Sequence, residues 1–139
     1  MPRIPAGAAR YYQELTTRLD NLGWNVEESS EGKVCVQISD SNVVMQLLDG
    51  RVPVMRSTIE LISGVESTPD LLQEIQQQNE GRIFTKYFMS DSSVIACADL
   101  RCSDLGHLED HLNGLVNDSD LLGTYLASLG VVGDELSLF

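Results

Sequence analysis

Leucine stands at 105, 108, 112, 115, 122, 126 and 129, a repeat of threes and fours in which Ser119 fills the only vacant slot. Residues so spaced share one face of an α-helix, so the chain must contain a long helix with a continuous apolar stripe, starting after Ser103 or Asp104. Asn117-Asp118 and Gly123 are weak helix formers that could mark a break, but the repeat runs through them.

Elsewhere the apolar period is two. Val34, Val36 and Ile38 alternate with Lys33, Cys35 and Gln37; Ser39-Asp40-Ser41-Asn42 then turns the chain into Val43 to Leu48. That pattern predicts a hairpin. A second hairpin runs from Ile83 to Met89 through Ser90-Asp91-Ser92-Ser93 and back as Val94 to Leu100. The likeness of the two turns is assigned to convergent turn chemistry, because Ser, Asp and Asn are what such turns select. Asp49-Gly50 signals a two-residue turn and a further strand near Arg51, and Pro53 predicts that this strand lies at an edge or a bulge. Val54 to Ile62, rich in β-branched residues, is read as strand.

Two shorter helices complete the pattern. Ala8, Tyr11, Leu15, Leu19 and Leu22 form one stripe ending at Gly23, a suitable left-handed cap, with Trp24 folding back on Leu19. Thr68-Pro69-Asp70 reads as N-cap, first-turn proline and first-turn carboxylate, followed by Leu71, Leu72 and Ile75 as the buried stripe of a helix stopping near Asn79 or Gly81. The predicted fold is α+β, an antiparallel β-sheet with helices packed on one face, in the order α-β-β-β-α-β-β-α, followed by an apolar tail over 131–139.

At 139 residues and 15.3 kDa, one domain spanning 1–139 is expected. Nine Lys and Arg against 21 Asp and Glu give a net charge of −12, which repels phosphate backbones and anionic lipid surfaces. Nucleic acid and membrane are therefore poor partners. No apolar run approaches the length of a membrane span or forms a signal-peptide core. Cys35, Cys97 and Cys102, an odd count at irregular spacing, make no disulfide framework, which favours a reducing cytoplasm.

Pleat geometry sorts the second hairpin into two faces if Met89 lies opposite Val94 and Phe88 opposite Ile95. Ile83, Tyr87, Met89, Val94, Ala96, Ala98 and Leu100 share the face on which small alanines admit a helix. Phe84, Lys86, Phe88, Ile95, Cys97 and Asp99 share the other, with Val44 and Leu48 similarly placed in the first hairpin. Burying one phenylalanine stabilises by roughly 1.5–3 kcal/mol, against a net domain stability of about 5–15 kcal/mol. An apolar patch of Val44, Leu48, Phe84, Phe88 and Ile95 should therefore be covered by a second subunit, a client peptide or the tail.

Catalytic signatures are missing: there is no GxSxG elbow, no GxxxxGK[ST] loop and no GxGxxG turn. His107 and His111 stand one helical turn apart, a metal-ligand spacing to which Cys102 could add a third donor. The glutamate, however, follows the first histidine by two residues, unlike the zinc-protease pattern, and the pair reads better as a solvated helix face opposite the leucines. Asp118-Ser119-Asp120 begins like a calcium loop but lacks its glycine and distal glutamate, and reads as surface.

The stretch Thr68-Pro69-Asp70-Leu71-Leu72-Gln73-Glu74-Ile75-Gln76-Gln77-Gln78-Asn79, with Arg82 to Met89 and Ser93 to Leu100, resembles the YbjN-like family. That family shares its layout with the class I chaperones of type III secretion. The features that match are the Leu-Leu-x-x-Ile-x-x-x-Asn end of the second helix, the aromatic hairpin and the leucine-striped last helix. The likeness covers Leu71 to Leu129, and the first half by order of elements. The apolar tail after Gly130 departs from it. The resemblance implies a small acidic protein, often dimeric, that holds an extended segment of another protein. The expectation is a non-enzymatic chaperone-like or adaptor protein, without cofactor or metal, that forms a homodimer and binds a client polypeptide through an apolar sheet face or edge. The alternative is a small metal-binding enzyme or sensor using His107, His111 and Cys102.

Overall fold

The computed structural model describes residues 6–82 and 84–131. The helical stripe of the C-terminal half becomes α3, Leu108–Ser128, entered through a 3-10 segment Cys102–His107 that kinks at Asp104. It runs unbroken through Asn117-Asp118. Ser119 is buried in the leucine stripe, and its hydroxyl donates to the Leu115 carbonyl at 2.7 Å, so the polar group in the vacant slot is satisfied within the helix. Gly130 ends the element with φ +82°: its amide donates to Ala127 and the Val131 amide to Leu126, the paired bonds of a Schellman cap. Leu129, expected in the stripe, lies in this cap and is exposed. The tail predicted over 131–139 lies outside the described residues apart from Val131.

The other helices are α1 (Tyr12–Asn21), preceded by a 3-10 turn, and α2 (Pro69–Asn79). Gly23 takes φ +80° after α1 as expected. Thr68 Oγ1 accepts the Leu71 amide at 3.2 Å and Pro69 opens the first turn, so the predicted cap of α2 forms. Leu71 and Ile75 are buried; Leu72 is not, because its neighbours at the helical period already fill the inner stripe.

The strands are β1 (Val26–Glu28), β2 (Lys33–Ile38), β3 (Ser41–Leu48), β4 (Val54–Ile62), β5 (Lys86–Ser90) and β6 (Ser93–Arg101), in one antiparallel sheet of order β1-β2-β3-β4-β6-β5. The α+β class and the element order are those expected, with β1 added. Three residues are too few to show an alternation, and two of them are glutamates. The β2–β3 loop holds only Ser39 and Asp40, with Ile38 opposite Ser41, so Ser41 and Asn42 already belong to β3. After Asp49-Gly50 the next strand begins at Val54, not near Arg51, and it is interior, not an edge. Pro53 stands just before it and costs the ladder no donor, while its carbonyl accepts the Cys102 amide at 3.0 Å. The first strand of the second hairpin is Lys86–Ser90, and Ile83, where the strand was expected to begin, lies outside the described residues.

The chain divides into two compact units, one from residues up to Thr58 together with Asp99–Gly114, the other from Ile59–Ala98 together with residues from Leu115 on. In the first, Val34, Val36, Val43, Met45 and Met55 are buried with Leu15, Leu19, Leu108 and Leu112. In the second, Ile59, Tyr87, Val94, Ala96 and Ala98 are buried with Leu71, Ile75, Leu115, Leu122 and Leu126.

Candidate protein-binding surface

In the second unit the predicted register holds: Phe88 pairs with Ile95, Met89 with Val94 and Lys86 with Cys97. Tyr87, Val94, Ala96 and Ala98 are buried, so the alternate positions point to the opposite face. There Phe88 is 42% exposed, and Phe84, just ahead of the strand, is 40% exposed. Ile95 and Cys97 are half-buried and Lys86 is exposed.

The strand carrying Phe88 is pinned along its edge and from behind. Asn79, the last residue of α2, donates from its side-chain amide to the Tyr87 carbonyl and accepts the Tyr87 amide, both at 2.7 Å. The Tyr87 hydroxyl donates to the Asp118 carbonyl at 3.1 Å, and Thr85, itself buried, donates to the Asp118 carboxylate at 2.7 Å. Arg82 lies 3.8 Å from that carboxylate and 5.2 Å from the centre of the Tyr87 ring. Burial is the main cause that raises the Tyr87 hydroxyl above its ordinary pKa, with Arg82 opposing and Asp118 adding. Sequence reasoning placed Asp118 on the surface. It is instead a half-buried anchor, and its position three residues after buried Leu115 was the available signal.

In the first unit Val44 and Leu48 are half-buried, with Cys35 opposite Val44. This outer face is mixed rather than apolar. Gln37, Asn42 and Gln46 are exposed on it, and the Arg56 guanidinium grips both Asp99 oxygens at 2.8 and 2.9 Å. Of the five predicted contact residues, then, only Phe84 and Phe88 are strongly exposed.

The histidine pair splits. His107 is exposed, as a solvated helix face requires, but His111 is only 5% exposed and its Nε2 lies 3.4 Å from the buried Ser57 hydroxyl. His111 sits three residues after Leu108 and four before Leu115, which puts it on the leucine stripe. Cys102 is buried, and burial foremost pushes its thiol pKa up, which opposes thiolate chemistry. Among the described residues no group of three His, Cys, Asp or Glu side chains could hold a metal ion, and no helix is long and apolar enough to cross a membrane.

The α+β arrangement of a sheet with a long C-terminal helix is a fold also seen in two solved structures, of which one is a type III secretion chaperone. It is similar to the Yersinia pestis type III secretion chaperone SycH, solved in complex with a stable fragment of YscM2, at a TM-score of 0.61 and 18% identity over 81% of this chain and 98% of SycH. It is also similar to YbjN of E. coli, at a TM-score of 0.62 and 14% identity over 88% of this chain and 95% of YbjN. No protein-family model and no curated protein matches the sequence.

Proposed function

We propose that this protein is a non-enzymatic, chaperone-like adaptor that binds a client polypeptide. The observation that carries this reading is the pair Phe84, just ahead of β5, and Phe88 within it, both exposed while the strand is fixed at its edge to α2 and through the Tyr87 side chain to α3. Exposed aromatic side chains on a rigid support are suited to anchor an apolar segment of another chain, since their conformational cost of docking is already met. Ile95 borders these anchors; Val44 and Leu48 would supply a weaker contact in the first unit. The fold shared with SycH, which holds a fragment of YscM2, supports the reading. A net charge of −12 opposes a direct role on DNA or anionic membranes and selects neutral or basic clients. In this proposal the protein works as a single domain in a reducing cytoplasm and self-associates as a homodimer.

The test is affinity capture with the wild type, Phe88→Asp and Leu121→Asp, followed by mass spectrometry and by titration with the captured protein. Leu121 is an exposed leucine of α3 and serves as the control. A client retained by Leu121→Asp and weakened at least tenfold by Phe88→Asp supports the site. Equal retention by both variants would overturn it. Sedimentation equilibrium at micromolar concentration checks the dimer.

A further inference from the structure

Two places in the chain set a glycine after a residue whose side-chain carbonyl carbon the glycine amide can attack: Asp49-Gly50 and Asn113-Gly114. Glycine has no Cβ to hinder that approach and restricts the backbone least. The attack closes a five-membered succinimide ring. Asparagine expels ammonia in this step and aspartate expels water, and a carboxylate is the poorer electrophile, so local chemistry makes Asn113-Gly114 the faster pair.

The fold reverses that order. Gly114 lies inside α3, where its amide is committed to the carbonyl four residues before it and is held away from the Asn113 side chain. A turn of α3 must open before that ring can close. Nothing comparable protects Gly50. Asp49 and Gly50 are exposed in the loop between β3 and β4, and the Gly50 amide donates to no group among the described residues. Apart from its chain neighbours, only the Val52 carbonyl oxygen, at 3.6 Å, comes near the place a Cβ on Gly50 would take, so the loop has room to turn.

We propose that Asp49-Gly50 is the site at which this protein isomerises spontaneously to an isoaspartyl linkage, and that α3 silences Asn113-Gly114. The Gly50 nitrogen bonds Cγ of Asp49, and the carboxyl hydroxyl leaves as water with the amide proton. Water then adds to the former main-chain carbonyl carbon and breaks its bond to nitrogen, so the chain runs through Cγ with no change of mass. The reaction has a structural consequence. The Asp49 carboxylate fills the space that a Cβ at Gly7 would take, and Gly7 precedes fully buried Ala8, whose carbonyl accepts the Tyr11 amide at 3.0 Å. Once Cγ belongs to the main chain that contact is lost, and the turn leading into α1 is loosened. None of this depends on the Phe88 reading.

The test ages the whole protein near neutral pH as folded wild type, as wild type in urea, and as Gly50→Ala. Peptide mapping by electron-transfer fragmentation locates isoaspartate, and an isoaspartyl methyltransferase with labelled S-adenosylmethionine counts it. In the folded wild type, isoaspartate should accumulate at 49, well above Asp40 and Asp91 in their exposed turns. Asn113 should react at least about tenfold more slowly than in urea, the factor for a hydrogen bond that must first open. In urea Asn113 should react first. Gly50→Ala should fall to the level of Asp40 and Asp91. Asn113 outpacing Asp49 in the folded protein would overturn the proposal, as would isoaspartate at 49 no higher than at 40 and 91. Should Gly50→Ala fail to fold, the two wild-type samples decide. Exchange of the Tyr11 amide should be faster in the isomerised fraction, and equal exchange would overturn the link to α1.

Discussion

The two hairpins turn in the same way and present opposite faces. β2 and β3 are joined by Ser39-Asp40 with Ser39 at φ +55°; β5 and β6 are joined by Asp91-Ser92 with Asp91 at φ +54°. Counted from their loops, Val36 and Val43 of the first hairpin occupy the places of Phe88 and Ile95 in the second. Yet Val36 and Val43 are buried while Phe88 is exposed and Ile95 half-buried. The turn fixes which residues are opposite one another; it does not decide which face is buried. That choice belongs to the side chains, since valines, Ile38 and Met45 fill the inner face of the first hairpin and Tyr87, Ala96 and Ala98 that of the second. The sequence likeness of the turns is also displaced by one residue from their structural equivalence, Ser39 matching Ser90 by sequence but Asp91 by position. Convergence explains that offset better than duplication.

The largest expected effect breaks or upholds this assignment of faces. Ala96→Asp puts a carboxylate into the buried side of β6 and should cost at least about 4 kcal/mol, enough to unfold the protein. Phe88→Asp, on the opposite side of the neighbouring strand, should change stability by no more than about 1 kcal/mol while weakening association. Thermal unfolding and sedimentation of both variants side by side give the answer. Equal losses of stability would mean that both faces of this hairpin are core.

A second pair of variants sharpens the claim that the turns are equivalent. Ser39→Val and Asp91→Val each force a β-branched residue into left-handed backbone and should cost roughly 1–2 kcal/mol apiece. Denaturant titrations should give costs that agree within experimental error. A cost at one turn alone would show that the shared φ values hide different constraints.

Much of the fold was legible because it rests on local periodicity. The stripe of α3, the Thr68 cap and the Phe88–Ile95 register each follow from residues a few positions apart. What escaped depends on residues that meet only in the folded chain. β1 is too short to show a period and exists because β2 offers it an edge. Pro53 was read as the mark of an edge strand, but one residue's displacement puts it before the ladder, where it costs nothing. His111 and Asp118 looked polar and therefore solvated, although their positions relative to Leu108 and Leu115 placed them inward. Asn79 was legible as the end of a helix and not as the cap of a strand, since Tyr87 lies eight residues away and across a loop.

The smallest expected effect separates the two outer edges. β2 is covered by a strand, β1, whose Glu28 carboxylate accepts the Tyr12 hydroxyl of α1. β5 is covered by the Asn79 amide, which does not titrate. Burial foremost, then the hydrogen bond to Glu28 and its charge, push the Tyr12 pKa from 10.0 up to about 12. A folded-state value above the unfolded one means that the contribution is fully present below about pH 10 and is lost as pH rises toward 12. Because the pair is largely exposed, its worth near neutrality should be under about 1 kcal/mol. Tyr12→Phe should therefore be slightly less stable than the wild type at pH 8, and the gap should close as the pH approaches 12. Asn79→Ala should instead differ from the wild type by the same amount throughout that range. Denaturant midpoints at pH 8, 10 and 11 for the three proteins check both statements, and a Tyr12→Phe gap that stays constant would mean that β1 is not held by its contact with α1.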